Sequence, residues 1–107
     1  MHERKFQWDE NKRNVVIAKH AIDFVDTVEI FAGRHLVLPA KSEVEARQKA
    51  IAPLGPKMIC VIFTVRGDTT RIITARVARR NERESYEKLH SGTDQSVEGP
   101  DKLGPTA

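Results

Sequence analysis

Six arginines lie within an eighteen-residue stretch in the second half of the chain. They are Arg66, Arg71, Arg76, Arg79, Arg80 and Arg83. A guanidinium group keeps its proton in a protein, and its planar fork matches the oxygens of a phosphate. A fold that directs several such groups to one side is suited to a polyanion. RNA or DNA is therefore the first partner to consider.

The carboxylates form no obvious metal site in the sequence. Catalytic Mg²⁺ usually needs two or three converging carboxylates, whereas the acidic residues here have positions that suit structural roles. Asp9 and Asp23 are predicted helix caps, and Asp68 lies in a predicted turn. Glu82, Glu84 and Glu87 are predicted to lie on solvated helix faces. No Cys/His spacing indicates zinc, and no glycine-rich phosphate loop is present. We therefore predict no metal and no cofactor.

The remaining lysine, arginine, histidine and tyrosine side chains suit RNA cleavage without a metal. The RNA supplies its own nucleophile, the 2′-hydroxyl, while the protein must deprotonate it, protonate the leaving 5′-oxygen and neutralise the phosphate. Lys19 and His20 are the best acid–base candidates, because histidine is the side chain that changes charge near neutral pH. The alternative is that His20 only satisfies free carbonyls at the end of a helix.

Structural alternatives also exist for the aromatic and arginine side chains. Trp8 and Tyr86 could stack on bases, although core packing is the favoured role for Trp8. The arginines of the last helix alternate with glutamates and could form a salt-bridged surface. Arg76 lies in a strand beside apolar neighbours, where an inward-pointing arginine needs a partner.

The composition is that of one modest globular domain. The chain has 107 residues with a net charge of +3, and its 31% charged and 39% hydrophobic fractions suit a soluble protein. The first residues contain no apolar signal segment, and the single Cys60 cannot form an internal disulfide, so we expect a cytoplasmic protein without a membrane partner. We predict a single domain at residues 1–90. A disordered tail follows at residues 91–107, which are rich in Gly, Pro and Ser.

The apolar pattern predicts two helices, then strands, then a last helix. The predicted helices are residues 10–21, 24–31 and 78–90. The predicted strands are residues 6–8, 35–39, 47–54, 58–66 and 69–78. Asp9 and Asp23 are suitable N-caps for the first two helices. The apolar side of the first helix is expected to consist of Val15, Val16, Ile17 and Ala18.

Gly67-Asp68 is expected to be a two-residue hairpin loop, which fixes how the flanking strands pair. The expected pairs are Arg66 with Thr69, Thr64 with Arg71, and Ile62 with Ile73. Arg66 and Arg71 then share one face at the hairpin tip. Arg76 is expected on the opposite face, with the alternate apolar residues of the first strand.

This order of elements predicts an α+β fold with an antiparallel sheet, two N-terminal helices and one C-terminal helix. Two long segments also carry a family resemblance. FQWDENKRNVVIAKHAIDF resembles the F-E-W-D-x-x-K-x-x-x-N-x-x-K-H-G-V-x-F opening of BrnT family toxins, and IFTVRGDTTRIITARVARRNERESY resembles their V-Y-T-x-R-G-x-x-x-R-I-I-S-A-R-x-A-x-x-x-E-R-x-x-Y close. The similarity covers residues 6–89. Ala21 replaces the usual glycine after His20, and residues 32–46 match nothing firmly.

The resemblance implies a RelE-like ribonuclease, the toxin of a bacterial type II toxin–antitoxin pair, which cleaves RNA and inhibits translation. It also implies a BrnA-like antitoxin with a DNA-binding part, and a complex that binds operator DNA and represses its own operon. By motif position, the catalytic candidates are Lys19, His20, Arg76 and Tyr86. The RNA-binding candidates are Arg66, Arg71, Arg79 and Arg80. The alternative function is a non-catalytic basic module that binds nucleic acid or an acidic partner.

Overall fold

Helices and strands form an α+β arrangement in the computed structural model, which describes residues 5–41 and 46–91. The strands are β1 Lys5–Gln7, β2 Leu36–Ala40, β3 Arg47–Leu54, β4 Lys57–Arg66 and β5 Thr69–Val77. The helices are α1 Glu10–His20, α2 Phe24–Thr27 and α3 Arg80–Ser91, with a 3₁₀ turn Val28–Phe31 after α2. The predicted tail lies outside the described residues from residue 92 onward. Within the described ranges, no helix has the length and apolar character that crossing a membrane requires.

The sheet has five strands in the order β1-β5-β4-β3-β2, and it is mixed. β2, β3, β4 and β5 pair antiparallel, as predicted, but β1 runs parallel to β5. The prediction of a purely antiparallel sheet is therefore wrong at one edge. The direction of β1 depends on how the chain crosses the sheet through α1, which packs over β5. A strand of three residues carries no sequence signal for its direction relative to its neighbour.

The β4–β5 hairpin follows the predicted register only near its tip. Arg66 pairs with Thr69 and Thr64 with Arg71, as expected. The expected pair of Ile62 with Ile73 is wrong, because the register shifts by one residue between Ile62 and Phe63. Phe63 pairs with Ile72 and Ile62 with Thr74, which leaves Ile73 as the extra residue of a bulge. A bulge moves every later side chain of its strand to the other face.

The bulge changes the face on which Arg76 lies. Arg76 pairs with Cys60, whose side chain belongs to the core under α3, so the prediction that Arg76 shares a face with Ile59 and Phe63 is wrong. Those two residues belong to the other core, beneath α1 and α2. The sheet is therefore covered on both faces, and Arg76 is directed toward the start of α3.

The larger core lies between the sheet and the two N-terminal helices. Its buried members include Val16 of α1, Phe24 of α2 and Phe31 of the 3₁₀ turn, with Trp8 packed against them as expected. Val16 is the only residue of α1 that is buried, whereas Val15 and Ile17 are 50% and 37% exposed. The prediction of a continuous apolar side from residue 15 to residue 18 is therefore wrong, since neighbouring helix positions turn away by about 100° each.

The first two helices begin at the predicted caps. Asp9 accepts hydrogen bonds from the backbone N–H groups of residues 11 and 12, and Asp23 accepts one from Val25. Arg13 binds both carboxylate oxygens of Asp23, at 2.7 and 3.0 Å, and this contact lowers the pKa of Asp23. The second helix is shorter than predicted, because the chain tightens into the 3₁₀ turn after Thr27. Strand β2 includes Pro39 and continues one residue beyond it, which an edge strand tolerates.

Candidate active site

A buried carboxylate lies at the start of α3. Glu82 is 1% exposed, and its Oε1 atom accepts hydrogen bonds from Nη1 of Arg76 and from the backbone N–H of Arg79, each at 2.8 Å. Its Oε2 atom accepts from Nη2 of Arg76 at 2.9 Å and from Nζ of Lys49 at 2.8 Å. The prediction that Glu82 lies on a solvated helix face is wrong. We call Lys49, Arg76, Arg79 and Glu82 the Glu82 cluster.

The Glu82 cluster joins three elements of the fold. Lys49 belongs to β3, Arg76 to β5 and Glu82 to α3, so one carboxylate holds the sheet and the helix together. Hydrogen bonds from Arg76, followed by those from Lys49 and Arg79, lower the pKa of Glu82 well below its usual range. The same contact with Glu82 raises the pKa of Arg76. Both groups are therefore charged at neutral pH.

Two sequence features point to this cluster. Glu82 lies three residues after Arg79, which is the spacing at which a glutamate reaches back to the N–H group before a helix. Arg76 lies in a strand among apolar residues, where a charged group needs a partner. A carboxylate six residues further along the chain supplies that partner. Combining the two signals indicates Glu82 as a partner of Arg76, although they do not indicate that Glu82 is buried.

Cys60 lies beside this cluster and is inert. It is fully buried, and its Sγ atom is 3.8 Å from Oε2 of Glu82. Burial raises the pKa of the Cys60 thiol to about 11, so the thiol is protonated at neutral pH. Cys60 is therefore a small buried side chain that contributes to packing.

The outer face of α3 carries exposed cations. Arg79, Arg80 and Arg83 are exposed, and Arg80 pairs with Glu84 at 3.1 Å with both side chains largely in solvent. This pair is the surface ion pair that the alternating charges predicted. Because exposed pairs are weak, Arg80 remains available to a stronger anion.

Tyr86 lies one turn further along α3 and is half-buried. It packs against the core under α3, whereas Leu89 is 55% exposed. The ring of His90 lies 4.4 Å from that of Tyr86. Tyr86 also lines a cleft with Arg34 and the β3–β4 turn. It therefore joins α3 to the end of the sheet at which β3 turns into β4.

The end of α1 carries the predicted acid–base pair. Lys19 is exposed, His20 is half-buried, and the helix closes at Ala21 with φ 57° and ψ 37°. This left-handed conformation is the one that favours glycine, so the chain keeps the helix end of the resembled motif although Ala21 carries a β-carbon. Lys57 donates a hydrogen bond to the carbonyl of His20 at 3.5 Å.

Lys57 connects the end of α1 with α3. It begins β4 directly after the tight β3–β4 turn, where Gly55 has φ 61°. On one side it lines a cleft of about 350 Å³ with Ala21. On the other it lines a cleft of about 450 Å³ with Val77 and Arg83. We call this region, formed by the β3–β4 turn, the end of α1 and the first two turns of α3, the turn end of the sheet. The sequence prediction missed Lys57 because an isolated lysine in a turn carries no signal of its position.

The hairpin tip lies at the opposite end of β5. Arg66 and Arg71 lie there, and Arg71 donates to Oε1 of Gln7 at 2.8 Å. Arg71 and Arg76 are five positions apart, which corresponds to roughly 16 Å along a strand. The predicted residues therefore form two groups rather than one.

Comparison with known proteins identifies the family. A family model described as the ribonuclease toxin, BrnT, of type II toxin–antitoxin systems matches residues 8–82. The chain belongs to the BrnT toxin family. The crystal structure of the Brucella abortus ribonuclease toxin BrnT is similar, with a TM-score of 0.60 and 37% identity over 73% of this chain and 100% of that one. A search of curated proteins finds no match.

The BrnT match includes most of the predicted site. Residues 8–82 contain all the candidates except Tyr86, and they also contain Glu82. In this BrnT-family chain the turn end holds Lys19, His20, Arg80 and Tyr86, while the hairpin tip holds Arg66 and Arg71. Arg76 lies near the end of β5 and Arg79 directly before α3, both beside the turn end. The α+β arrangement agrees with that of the BrnT crystal structure. The chain is thus a ribonuclease toxin of a type II toxin–antitoxin system.

The turn end carries several positively charged side chains, and two carboxylates, Asp26 and Glu29, line its cleft beside Lys57. Among residues 5–41 and 46–91, no three His, Cys, Asp or Glu side chains lie close enough together to hold a metal ion. The buried carboxylate of Glu82 lies near the exposed arginines. Its oxygens already accept hydrogen bonds from Arg76, Lys49 and Cys60. The chemistry that this part of the chain offers is that of arginine, lysine, histidine and tyrosine.

Proposed function

We propose that the protein is an endoribonuclease that cleaves RNA at the turn end of the sheet without a metal ion. The observation that carries the proposal is the meeting of two helix ends there. The end of α1 brings His20, the start of α3 brings exposed arginines, and Lys57 lies between them. An acid–base group beside several fixed cations is the arrangement that attack by a 2′-hydroxyl requires.

In the proposed reaction, His20 takes the proton of the 2′-hydroxyl, and the ammonium group of the neighbouring Lys19 supplies positive charge. The 2′-oxygen then bonds to the adjacent phosphorus, and the bond from phosphorus to the 5′-oxygen breaks. The leaving oxygen receives a proton from the protonated His20 or from Tyr86. The products are a 2′,3′-cyclic phosphate and a 5′-hydroxyl. Cations on α3 stabilise the extra negative charge on the phosphate as it forms.

RNA binding extends from the turn end toward the hairpin tip in this proposal. Arg79, Arg80 and Arg83 contact phosphates near the cleaved bond, and Arg71 at the tip contacts the strand further along. Because roughly 16 Å along β5 separates Arg71 from Arg76, which lies near the start of α3, one RNA strand of several nucleotides can meet both groups. Arg66 belongs to the tip group as well.

The wider role is proposed from the family. RNA cleavage by a RelE-like toxin of this kind inhibits translation, and a BrnA-like antitoxin neutralises it by covering the basic surface at the turn end. An acidic or amphipathic segment suits that surface, since it replaces RNA and matches the charge of the arginines in one step. The pair then represses its own operon by binding operator DNA. The affinity of toxin for antitoxin should fall as salt rises, and a crystal structure of the pair with the arginines open to solvent would contradict this proposal.

The activity is tested by incubating purified protein with single-stranded RNA in EDTA. We expect cleavage with 2′,3′-cyclic phosphate ends. RNA that is bound but intact would instead support the non-catalytic module. Cleavage that EDTA abolishes and added Mg²⁺ restores would contradict the metal-independent mechanism.

The role of His20 is tested with His20→Ala, and His35→Ala serves as the matched control. Removal of a general acid or base lowers the rate by about 10²–10⁴. We expect this loss for His20→Ala, with RNA affinity retained because the arginines supply it. His35 is bonded to the carbonyl of Gly33 and packs against the ring of Phe31. It is not one of the proposed catalytic or RNA-binding residues, so its replacement should leave the rate largely unchanged. Full cleavage by His20→Ala would leave His20 as a helix-end residue only.

A further inference from the structure

The fork of Arg76 is already occupied in the folded protein. Both of its terminal nitrogens donate to Glu82, at 2.8 and 2.9 Å, and Nη1 also lies 3.3 Å from the carbonyl oxygen of Val77. A phosphate could take this fork only by displacing a carboxylate that is 1% exposed. Arg76 is therefore in a different situation from Arg80, whose carboxylate partner is exposed.

Glu82 also determines where α3 begins. Its carboxylate accepts the N–H of Arg79, the residue before the helix, and the first helical hydrogen bond then runs from the N–H of Arg83 to the carbonyl of Arg79 at 2.9 Å. The bond from Lys49 fixes the same carboxylate to β3. The direction of the first two turns, which carry Arg83 and Tyr86, thus depends on one buried group.

We propose that Glu82 is a positioning residue of the RNA-cleaving site and that Arg76 acts through Glu82 rather than on the RNA. The Arg76–Glu82 pair sets the start of α3 against β3 and β5, and this placement aligns the exposed arginines and Tyr86 with the end of α1. This assignment rests on the proposed function, and it changes the role of Arg76 from the catalytic one predicted from sequence.

The experiment is a double-mutant cycle of Glu82→Gln, Arg76→Gln and the double variant, with Glu84→Gln as control. Glutamine keeps the shape of the side chain and an acceptor for the N–H of Arg79 but removes the charge. The control makes the same change two residues away, on an exposed carboxylate of the same helix. For each variant we would measure kcat, KM and the salt dependence of RNA binding.

We expect Glu82→Gln to lower kcat about tenfold while KM changes less than twofold, because the RNA-binding arginines remain. The double variant should lose no more than Glu82→Gln alone, since residues that act as a unit are not additive. Its slope of log affinity against log salt should equal that of the native protein. Glu84→Gln should cleave as the native protein does.

Two outcomes would overturn the proposal. Native cleavage by Glu82→Gln would show that the reaction does not need this carboxylate. A further loss in the double variant, together with a salt slope smaller by about 0.7, would show that Arg76 contacts a phosphate of the strand itself. If Glu82→Gln fails to fold, the salt slope of the double variant decides alone. That variant has no buried arginine charge to compensate, and only the partly exposed Lys49 loses its carboxylate.

Amide hydrogen exchange separates this proposal from the proposed function. Exchange at Arg83 should be about tenfold faster in Glu82→Gln than in the native protein, and unchanged in Glu84→Gln. If the native protein does not cleave RNA, the proposed function fails while this measurement still tests whether Glu82 holds the helix start. If the native protein cleaves RNA and exchange at Arg83 is unaffected, the positioning role fails alone.

Discussion

The two helix ends that meet at the turn end of the sheet are closed in different ways. The start of α3 is held by a fully buried carboxylate with four hydrogen bonds from Arg76, Arg79 and Lys49. The end of α1 is closed by Ala21 in a left-handed conformation, with one long hydrogen bond from Lys57 to its last carbonyl. One end is fixed by charge inside the fold, and the other by local backbone geometry near solvent.

Two glutamates of α3, Glu82 and Glu84, each pair with an arginine, but the two ion pairs differ in their exposure to solvent. The Arg76–Glu82 pair is 23% and 1% exposed at its side chains, whereas the Arg80–Glu84 pair is 85% and 59% exposed. Removing one partner of a buried pair leaves a charge without compensation, but an exposed charge returns to water. This contrast supports the proposal that the buried pair stabilises the fold and that the exposed cations bind RNA.

The largest expected effect is on the free energy of unfolding. Glu82→Ala leaves Arg76 and Lys49 without their carboxylate, and breaking a buried pair of this kind costs about 3–5 kcal/mol. Glu84→Ala should change stability by no more than about 0.5 kcal/mol. Urea unfolding of the two variants checks both values. If the two variants lost the same free energy of unfolding, the buried Arg76–Glu82 pair and the exposed Arg80–Glu84 pair would not differ in their contribution to stability.

The pH dependence of unfolding tests the same contrast. Because the folded-state pKa of Glu82 is lowered, its stabilisation is complete above its unfolded pKa of about 4.5 and is lost as pH falls through the lower folded value. The stability difference between the native protein and Glu82→Gln should thus stay constant from pH 7 to about 5 and shrink only below about 4.5. Urea titrations across this range measure it. If the stability difference between the native protein and Glu82→Gln already declined between pH 7 and 5, this result would argue against a buried, ionised Glu82.

A smaller effect is expected for RNA binding by the outer face. Arg80→Ala should lower the slope of log affinity against log salt by about 0.7 and weaken binding roughly fourfold at 0.15 M salt, as expected for one lost phosphate contact on a single strand. Lys12→Ala, which removes an exposed charge near the start of α1, is the matched control. Filter binding at several salt concentrations gives the slopes. Identical slopes for the two variants would remove Arg80 from the interface.

The smallest expected effect is at the end of α1. A non-glycine residue in the left-handed region is strained, so Ala21→Gly should stabilise the fold by about 0.5–1 kcal/mol after the greater freedom of glycine in the unfolded chain is taken into account. Thermal unfolding measures the change. Loss of stability would show that contacts of the Ala21 β-carbon outweigh the strain.

The sequence by itself determined the local features of this protein. Asp9 and Asp23 cap the helices at which they were predicted, because an N-cap bonds to backbone groups two or three residues away. The bounds of β3 and the tip of the β4–β5 hairpin also follow from neighbouring residues. The resemblance carried by two motifs gave the BrnT family, which the family match confirms.

Only the tertiary structure decided the features that depend on distant partners. The bulge at Ile73 turns Arg76 to the other face of the sheet, and nothing in the alternating pattern of β5 indicates it. The burial of Glu82 requires Lys49, which is 33 residues away in the chain, as well as the covering of the sheet by α3. A buried charge is stable only when the fold places its hydrogen-bonding and charged partners around it. Because some of these partners are distant in the chain, the burial of such a charge cannot be inferred from its sequence neighbours alone.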